Sequence, residues 1–256
     1  MQSVICRIIL PVLILLSMSG ITMSEETGIF MIPVFNYVTG KFDPAKHPLF
    51  VDLKKTDIPV LRKDLYLRKE AAGAFSLLLK DFKKDNPKIT ISVISATRNF
   101  YSQRGIWEDK WTGERKISGT ASINGINNPV EKAKLILQYS SMPGTSRHHW
   151  GTDFDINRLN NEYYSKGEGK IIYDWLAKNA GKYGFCQPYT AGRDSGYKEE
   201  KWHWSYTPLS KKFLAEWNSL HKGKGESFWE ELIFAGSKTS AGLAPLYVNS
   251  INPDCR

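Results

Sequence analysis

The chain has 256 residues, of which 41% are hydrophobic and 24% charged, enough to bury the core of one domain of ordinary size. Its 35 Lys and Arg against 26 Asp and Glu give a formal net charge of +9, and a basic surface attracts polyanions of any kind. There is no zinc-finger spacing, no aromatic RNA-binding signature and no continuous basic helix, which excludes the common nucleic-acid modules.

Met1 to Arg7 precede an apolar run, Ile8 to Leu16, broken only by Pro11, and small residues follow from Ser17 to Thr22. This is the pattern of a signal peptide over residues 1–23, too short for the roughly 20 apolar residues of a spanning helix. No later segment approaches that length, so the expectation is an exported protein without stable membrane insertion. Cys6 lies before the apolar run, which argues against an acylated cysteine at a new N-terminus. Residues 24–63 are rich in Pro, Asp and Lys and read as an irregular lead-in, with turns at Gly40 to Pro44 and at His47-Pro48.

From Asp64 to Lys84, Leu65, Leu67, Ala71, Ala72, Phe75, Leu78, Leu79 and Phe82 recur at helical spacing, up to a stop at Asn86-Pro87. Ile89 to Ser95 alternates as a half-buried strand does. Residues 104–128 hold Trp107, Trp111 and several Gly and Ser but no readable motif, and are expected to loop over a cleft. Pro129 opens a helix through Tyr139 that Met142-Pro-Gly144 stops. Phe154 and Ile156 alternate with Asp153, Asp155 and Asn157 as a strand with a polar face. A helix over 170–183 closed by Gly184, an aromatic strand over 201–206 and a helix over 209–220 complete a domain spanning 64–220, with a tail at 221–256 packed on it. This mixture predicts a single α+β domain with a small central antiparallel sheet flanked by helices. After export Cys186 and Cys255 remain as an even pair, which suggests one disulfide; two unrelated buried thiols are the alternative.

Two clusters carry chemistry. Ser146-Arg-His148-His-Trp-Gly151-Thr-Asp-Phe-Asp155 sets a histidine seven residues before an aspartate, and Glu200-Lys-Trp-His203 sets a carboxylate three residues before another histidine. A catalytic zinc takes three protein ligands, usually imidazole nitrogen and carboxylate oxygen, and leaves a fourth position open. His148, Asp155 and His203 meet that requirement for one Zn2+ per chain. Glu200 is then the general base that takes a proton from water. His149 is a neighbour packed or solvated beside the site, and His47 and His221 read as a loop residue and a helix-end residue. Asp153 would share a strand face with Asp155, so it is either an alternative ligand or an anchor behind the ligands.

The pattern Ser146-x-His148-x-x-Gly151-x-x-x-Asp155 with Glu200-x-Trp202-His203 resembles the signature of the VanY-like D-alanyl-D-alanine carboxypeptidases, within the wider group of lysostaphin-type peptidases and hedgehog domains. The likeness extends to Thr97-Arg98 and Gln103 and spans roughly residues 64–217. It implies a hedgehog-like or DD-peptidase-like fold and an enzyme that removes terminal D-alanine from peptidoglycan stem peptides; a monomer is expected. By the same resemblance Arg98 and Gln103 line the substrate pocket. The paired donors of a guanidinium suit Arg98 to grip the substrate's terminal carboxylate, a structural ion pair at a strand end being the alternative, and Gln103 and Ser146 are expected as helpers there. The metal aspartate is preceded two places earlier by Asp153, where many members carry a small apolar residue. Two alternatives stay open: an endopeptidase of the same fold, and a zinc-containing binding module without catalysis, against which Glu200 argues.

Overall fold

The computed structural model describes residues 28–117, 123 and 125–256, and the apolar run read as a signal peptide lies outside them. The first elements after residue 33 are a short helix α1 (Val34–Val38) and a strand β1 (Phe50–Asp52) paired antiparallel with β2 (Tyr66–Arg68). From Val34 onward the expected irregular lead-in is therefore part of the folded unit, which runs from Val34 to Arg256. Tyr37, Val38 and Leu53 are completely buried. Elements of three to five residues are too short to establish a hydrophobic period, and so they escape pattern reading.

The helix expected from Asp64 begins later, as α2 (Lys69–Asp85). Asp64 takes a left-handed φ of 58°, and Leu67 faces Val51 across the β1–β2 ladder, so the first leucines serve a strand of period two. Ala71, Ala72, Phe75, Leu78 and Phe82 form the buried stripe of α2. There follow β3 (Val93–Ser95), α3 (Phe100–Thr112), α4 (Pro129–Ile136), β4 (Asp153–Ile156), α5 (Gly167–Asn179), β5 (Phe185–Cys186), β6 (His203–Tyr206) and α6 (Thr207–Lys224). Three short C-terminal helices follow, α7 (Ser227–Glu230), α8 (Ser237–Ser240) and α9 (Ala244–Asn249).

Helix α3 corrects the expectation of a loop beginning at residue 104. Asn99 caps it by accepting from the Ser102 N–H, and Gly113 ends it in a left-handed conformation. Its buried stripe is Phe100, Gln103, Trp107 and Lys110. Two of these four residues are polar, which hides the helical period from a reading based on apolar spacing.

The larger sheet has the order β3-β4-β6-β5 and every pairing in it is antiparallel. On one face Phe154, Ile156 and Trp204 enter the main hydrophobic cluster with Phe75, Leu78 and Phe82 of α2 and Ile172 and Leu176 of α5. Phe75 lies against Phe154 with ring centroids 4.4 Å apart. Each such aromatic, fully buried, contributes roughly 1.5–3 kcal/mol of burial free energy, which anchors the sheet so that its other face can carry polar groups.

The C-terminal tail packs through specific bonds. Trp107 donates from Nε1 to the Ala235 carbonyl at 2.9 Å, and the Asn252 N–H donates to Pro188 O at 2.9 Å. Cys186 and Cys255, 69 residues apart in sequence, are joined with their Cα atoms 5.7 Å apart. In the chain-entropy account, a closure of this length stabilises by about 4 kcal/mol. Cys255→Ser should therefore lower the unfolding free energy by about 2–4 kcal/mol in non-reducing urea titrations, and adding reductant should bring the wild type down to the same midpoint.

Candidate active site

Strand register makes the first half of the site. Asp155 and His203 are direct cross-strand partners, as are Asp153 and Ser205. Directly opposed residues bring their Cβ atoms to about 4.5–5.5 Å, within reach of one metal ion. Because side chains alternate along a strand, these four share the sheet face opposite Phe154 and Trp204. All four are buried.

His148 comes from a 3-10 turn, Arg147–Trp150, closed by Gly151 at φ 73°. A Cβ on Gly151 would stand 2.3 Å from the Phe50 ring, so both the left-handed backbone and the packing demand glycine there. The turn is strapped to the segment after β3: the Arg98 N–H donates to His148 O at 3.1 Å, and His148 Nδ1 lies 2.9 Å from Ala96 O. A carbonyl only accepts, so Nδ1 carries the proton and the Nε2 lone pair is left to face Asp155 Oδ2 at 3.5 Å. His203 is held the other way round. Its Nε2 bonds Asp153 Oδ1 at 3.0 Å, which turns Nδ1 toward Asp155 Oδ1 at 3.2 Å and Glu200 Oε2 at 3.3 Å. One ligand atom from each of His148, Asp155 and His203 lies within 4.8 Å of the others.

Asp153 is an anchor behind these three. Its Oδ1 accepts from Arg147 Nε at 2.8 Å and from His203, and its Oδ2 accepts from Thr152 Oγ1 at 2.6 Å and Ser205 Oγ at 2.9 Å. Four donors use the roughly four lone-pair directions of a carboxylate, and none is left for a metal. Burial raises the carboxyl pKa, but Arg147 and the His203 and Thr152 bonds outweigh it and hold Asp153 well below the usual range.

These donors fit a divalent cation. His203 is bracketed by the carboxylates of Asp153, Asp155 and Glu200, all within 3.3 Å, and their bonds overcome the penalty of burial to raise its pKa well above the ordinary value. The cluster thus demands positive charge, which a metal supplies by taking the place of the proton on Nδ1. Asp155 Oδ1 is buried, and the His203 Nδ1 contact at 3.2 Å is not a well-formed hydrogen bond, so a cation between the two would satisfy the oxygen better than the imidazole does. Burial pushes His148 below its ordinary pKa, so it is the neutral imidazole that a ligand must be. Burial also raises Glu200, the direction that suits a base working near neutrality.

The three ligand candidates and Glu200 open onto a cleft of about 530 Å³ that Arg98, Tyr189 and Trp202 also line. Arg98 is positioned through its backbone, since its carbonyl meets His149 Nδ1 at 2.6 Å while its N–H holds His148. Its Nε is buried without a hydrogen-bond partner. Gln103 and Ser146, expected as helpers in the pocket, stand outside the lining. Gln103 sits behind the wall, donating to Ser141 O at 2.7 Å, and Ser146 precedes the 147–150 turn, its carbonyl accepting from the His149 N–H at 3.0 Å.

His149 is packed, not solvated. It is fully buried, accepts at Nε2 from the Gly144 N–H at 3.0 Å, and is held neutral by burial, which pushes its pKa down to about 3. The sequence reading missed Lys110, Ser140, Tyr189 and Tyr197 in the cleft and the Arg147–Asp153–Ser205 network beneath it. Only the Arg147-x5-Asp153 pair, adjoining the motif, gave any signal in the sequence.

The D-alanyl-D-alanine carboxypeptidase family, VanY, matches residues 64–209, and the chain belongs to that family. Two curated relatives are similar over shorter stretches. One is YodJ of Bacillus subtilis (strain 168), assigned as a carboxypeptidase, 30% identical over 149 residues that make up 55% of this chain and 46% of that protein. The other is a D-alanyl-D-alanine carboxypeptidase of Enterococcus faecalis (strain ATCC 700802 / V583), 29% identical over 119 residues, 46% of this chain and 40% of the relative. The chain thus spans less than half the length of the curated relatives it matches. Among solved structures, the LdcB LD-carboxypeptidase shares the fold with a TM-score of 0.50 at 22% identity, covering 76% of this chain and 82% of the other.

The geometry makes the roles of the histidines and aspartates separable. Asp155→Ala and His203→Ala should lose bound divalent metal in elemental analysis of dialysed protein, whereas His149→Ala should keep it and lose thermal stability. Asp153→Asn should weaken metal affinity by about 10- to 100-fold, the usual effect of removing the partner that orients a ligand imidazole. Unchanged affinity in that variant would remove Asp153 from the site.

Proposed function

We propose that this protein is an exported, zinc-dependent carboxypeptidase that removes a terminal D-alanine from peptidoglycan stem peptides. The observation that supports it most is the convergence of His148, Asp155 and His203 with Glu200 at the floor of a cleft that also holds Arg98. Zinc bound by those three residues supplies Lewis acidity, which brings the pKa of a water toward 7 from about 15.7. Glu200 takes the proton of the attacking water at Oε2 and returns it to the leaving amine. Ala96 O and Asp153 keep both imidazoles in the tautomers that present their lone pairs inward. Arg98 binds the substrate's terminal carboxylate, for which a guanidinium offers two parallel donors, and its unpartnered Nε is consistent with a ligand anion there. No helix among the described residues is long and apolar enough to cross a membrane.

Glu200→Gln keeps the shape of the side chain and removes its basicity, so it should retain metal and fold while turnover of a D-alanyl-D-alanine peptide falls by about 100- to 10,000-fold. Near wild-type turnover would mean that the base lies elsewhere. The exopeptidase reading has its own check in matched peptides with a free or an amidated C-terminus. The free acid should be favoured by about 10- to 150-fold in kcat/KM, and Arg98→Ala should narrow that gap. Equal cleavage of acid and amide by the wild type would instead favour an endopeptidase.

A further inference from the structure

Among the cations of the cleft that the chemistry above leaves without a task, Lys110 is the buried one, whereas Arg62 and Lys116 are exposed. It continues the Phe100, Gln103, Trp107 stripe of α3, a position that normally carries an apolar residue, and it is only 7% exposed. Its Nζ donates to Ser140 Oγ at 2.5 Å, and both residues line the cleft. Among the described residues it forms no ion pair. Burying a lone ammonium is costly, so a fold that keeps one facing a ligand cleft points to an anion that arrives with the ligand. Lysines at helical core positions are rare for the same reason.

The cleft is lined by five cationic side chains, Arg62, Arg98, Lys110, Arg115 and Lys116, against the carboxylates of Asp155 and Glu200. A divalent metal offsets those two carboxylates. A single terminal carboxylate engages Arg98, and Arg115 already pairs with Asp109 at 3.3 Å. Of the three cations that remain, Arg62 and Lys116 are exposed to water, and Lys110 alone is buried with charge left to offer. It also stands on a different element from Arg98: Lys110 is on α3 against Ser140, whereas Arg98 follows β3 with its backbone strapped to His148 and His149. Burial, with those two cations, lowers its pKa to about 8, which leaves it predominantly an ammonium at neutral pH.

We propose that Lys110, steadied by Ser140, is a specificity residue that binds a second carboxylate of the substrate, separate from the terminal one, so that the preferred substrates are acidic peptides. This rests on the carboxypeptidase reading and specifies its substrate class. The lysine touches substrate without taking part in proton transfer, and its effect falls on discrimination between peptides.

The test uses N-acetylated tetrapeptides ending in D-alanine that differ only in a glutamate or a glutamine, placed in turn at the second and third residues. With the full-length, zinc-loaded wild type, the better glutamate peptide should exceed its glutamine partner by about 10-fold or more in kcat/KM. Lys110→Met should collapse that ratio toward one, and Lys110→Arg should restore part of it. Thermal unfolding should show the Lys110→Met protein at least as stable as the wild type, since an apolar chain replaces an unpaired buried charge. The same pairs titrated calorimetrically against zinc-loaded Glu200→Gln protein give the ratio of Kd without turnover. If no peptide is cleaved yet that ratio favours glutamate, the carboxypeptidase reading fails and the second-carboxylate site stands. Equal binding of both members of every pair by protein retaining Lys110 would overturn the proposal, as would a Lys110→Met variant that loses both members of a pair in equal proportion.

Discussion

Asp153 is a completely buried carboxylate on which the arrangement of the site depends. Through its two oxygens it joins the 147–150 turn, by way of Arg147, to both partners on β6, His203 and Ser205. The pair it makes with Arg147 is almost wholly out of water, with side-chain exposures of 1% and 0%. Such a pair adds little net stability, because desolvation consumes much of the Coulomb gain, but removing one partner strands the other at a cost of about 3–5 kcal/mol. The interaction thus fixes geometry. Without it the His203 ring would be free to turn, and the nitrogen facing Asp155 would no longer be determined.

A second constraint is steric. Gly151 leaves the turn in a left-handed conformation directly against Phe50, so strand β1, far away in sequence, sets how closely the His148 turn can approach the sheet. His149 completes the clamp on the opposite side, where its neutral ring bridges the Gly144 N–H and the Arg98 carbonyl. Two adjacent histidines thereby divide the labour. One aims a lone pair into the cleft, and the other holds the backbone of the residue whose guanidinium lines it.

The electrostatics of the cleft follow from this packing. Acidic groups gather on the sheet face, where a cation is required, and basic groups gather on the wall formed by β3, α3 and their flanking segments. The overall charge of +9 is therefore distributed with purpose at least here. A cleft of that character concentrates anionic ligands before any specific contact is made.

The candidate site was legible in the sequence because the chemistry of zinc restricts both residue type and number, and because the candidate ligands His148, Asp155 and His203 and the candidate base Glu200 lie in two short, closely spaced clusters. Helix α2 and the strands bearing Asp155 and His203 were legible too, since their apolar residues repeat at 3.6 or 2. Apart from the Cys186–Cys255 pair, which the count of cysteines suggested, the sequence did not resolve features whose meaning lies in a partner distant along the chain. Asp153 could have been a ligand until Arg147, Thr152, His203 and Ser205 were seen to occupy its lone pairs. Gln103 and Lys110 broke the apolar stripe of α3, and only their burial beside Ser141 and Ser140 gives them a place. The lead-in segment likewise became part of the core only through the pairing of β1 with β2. Local spacing decides which side chains are able to bind a metal; long-range packing decides which of their lone pairs are free to do so.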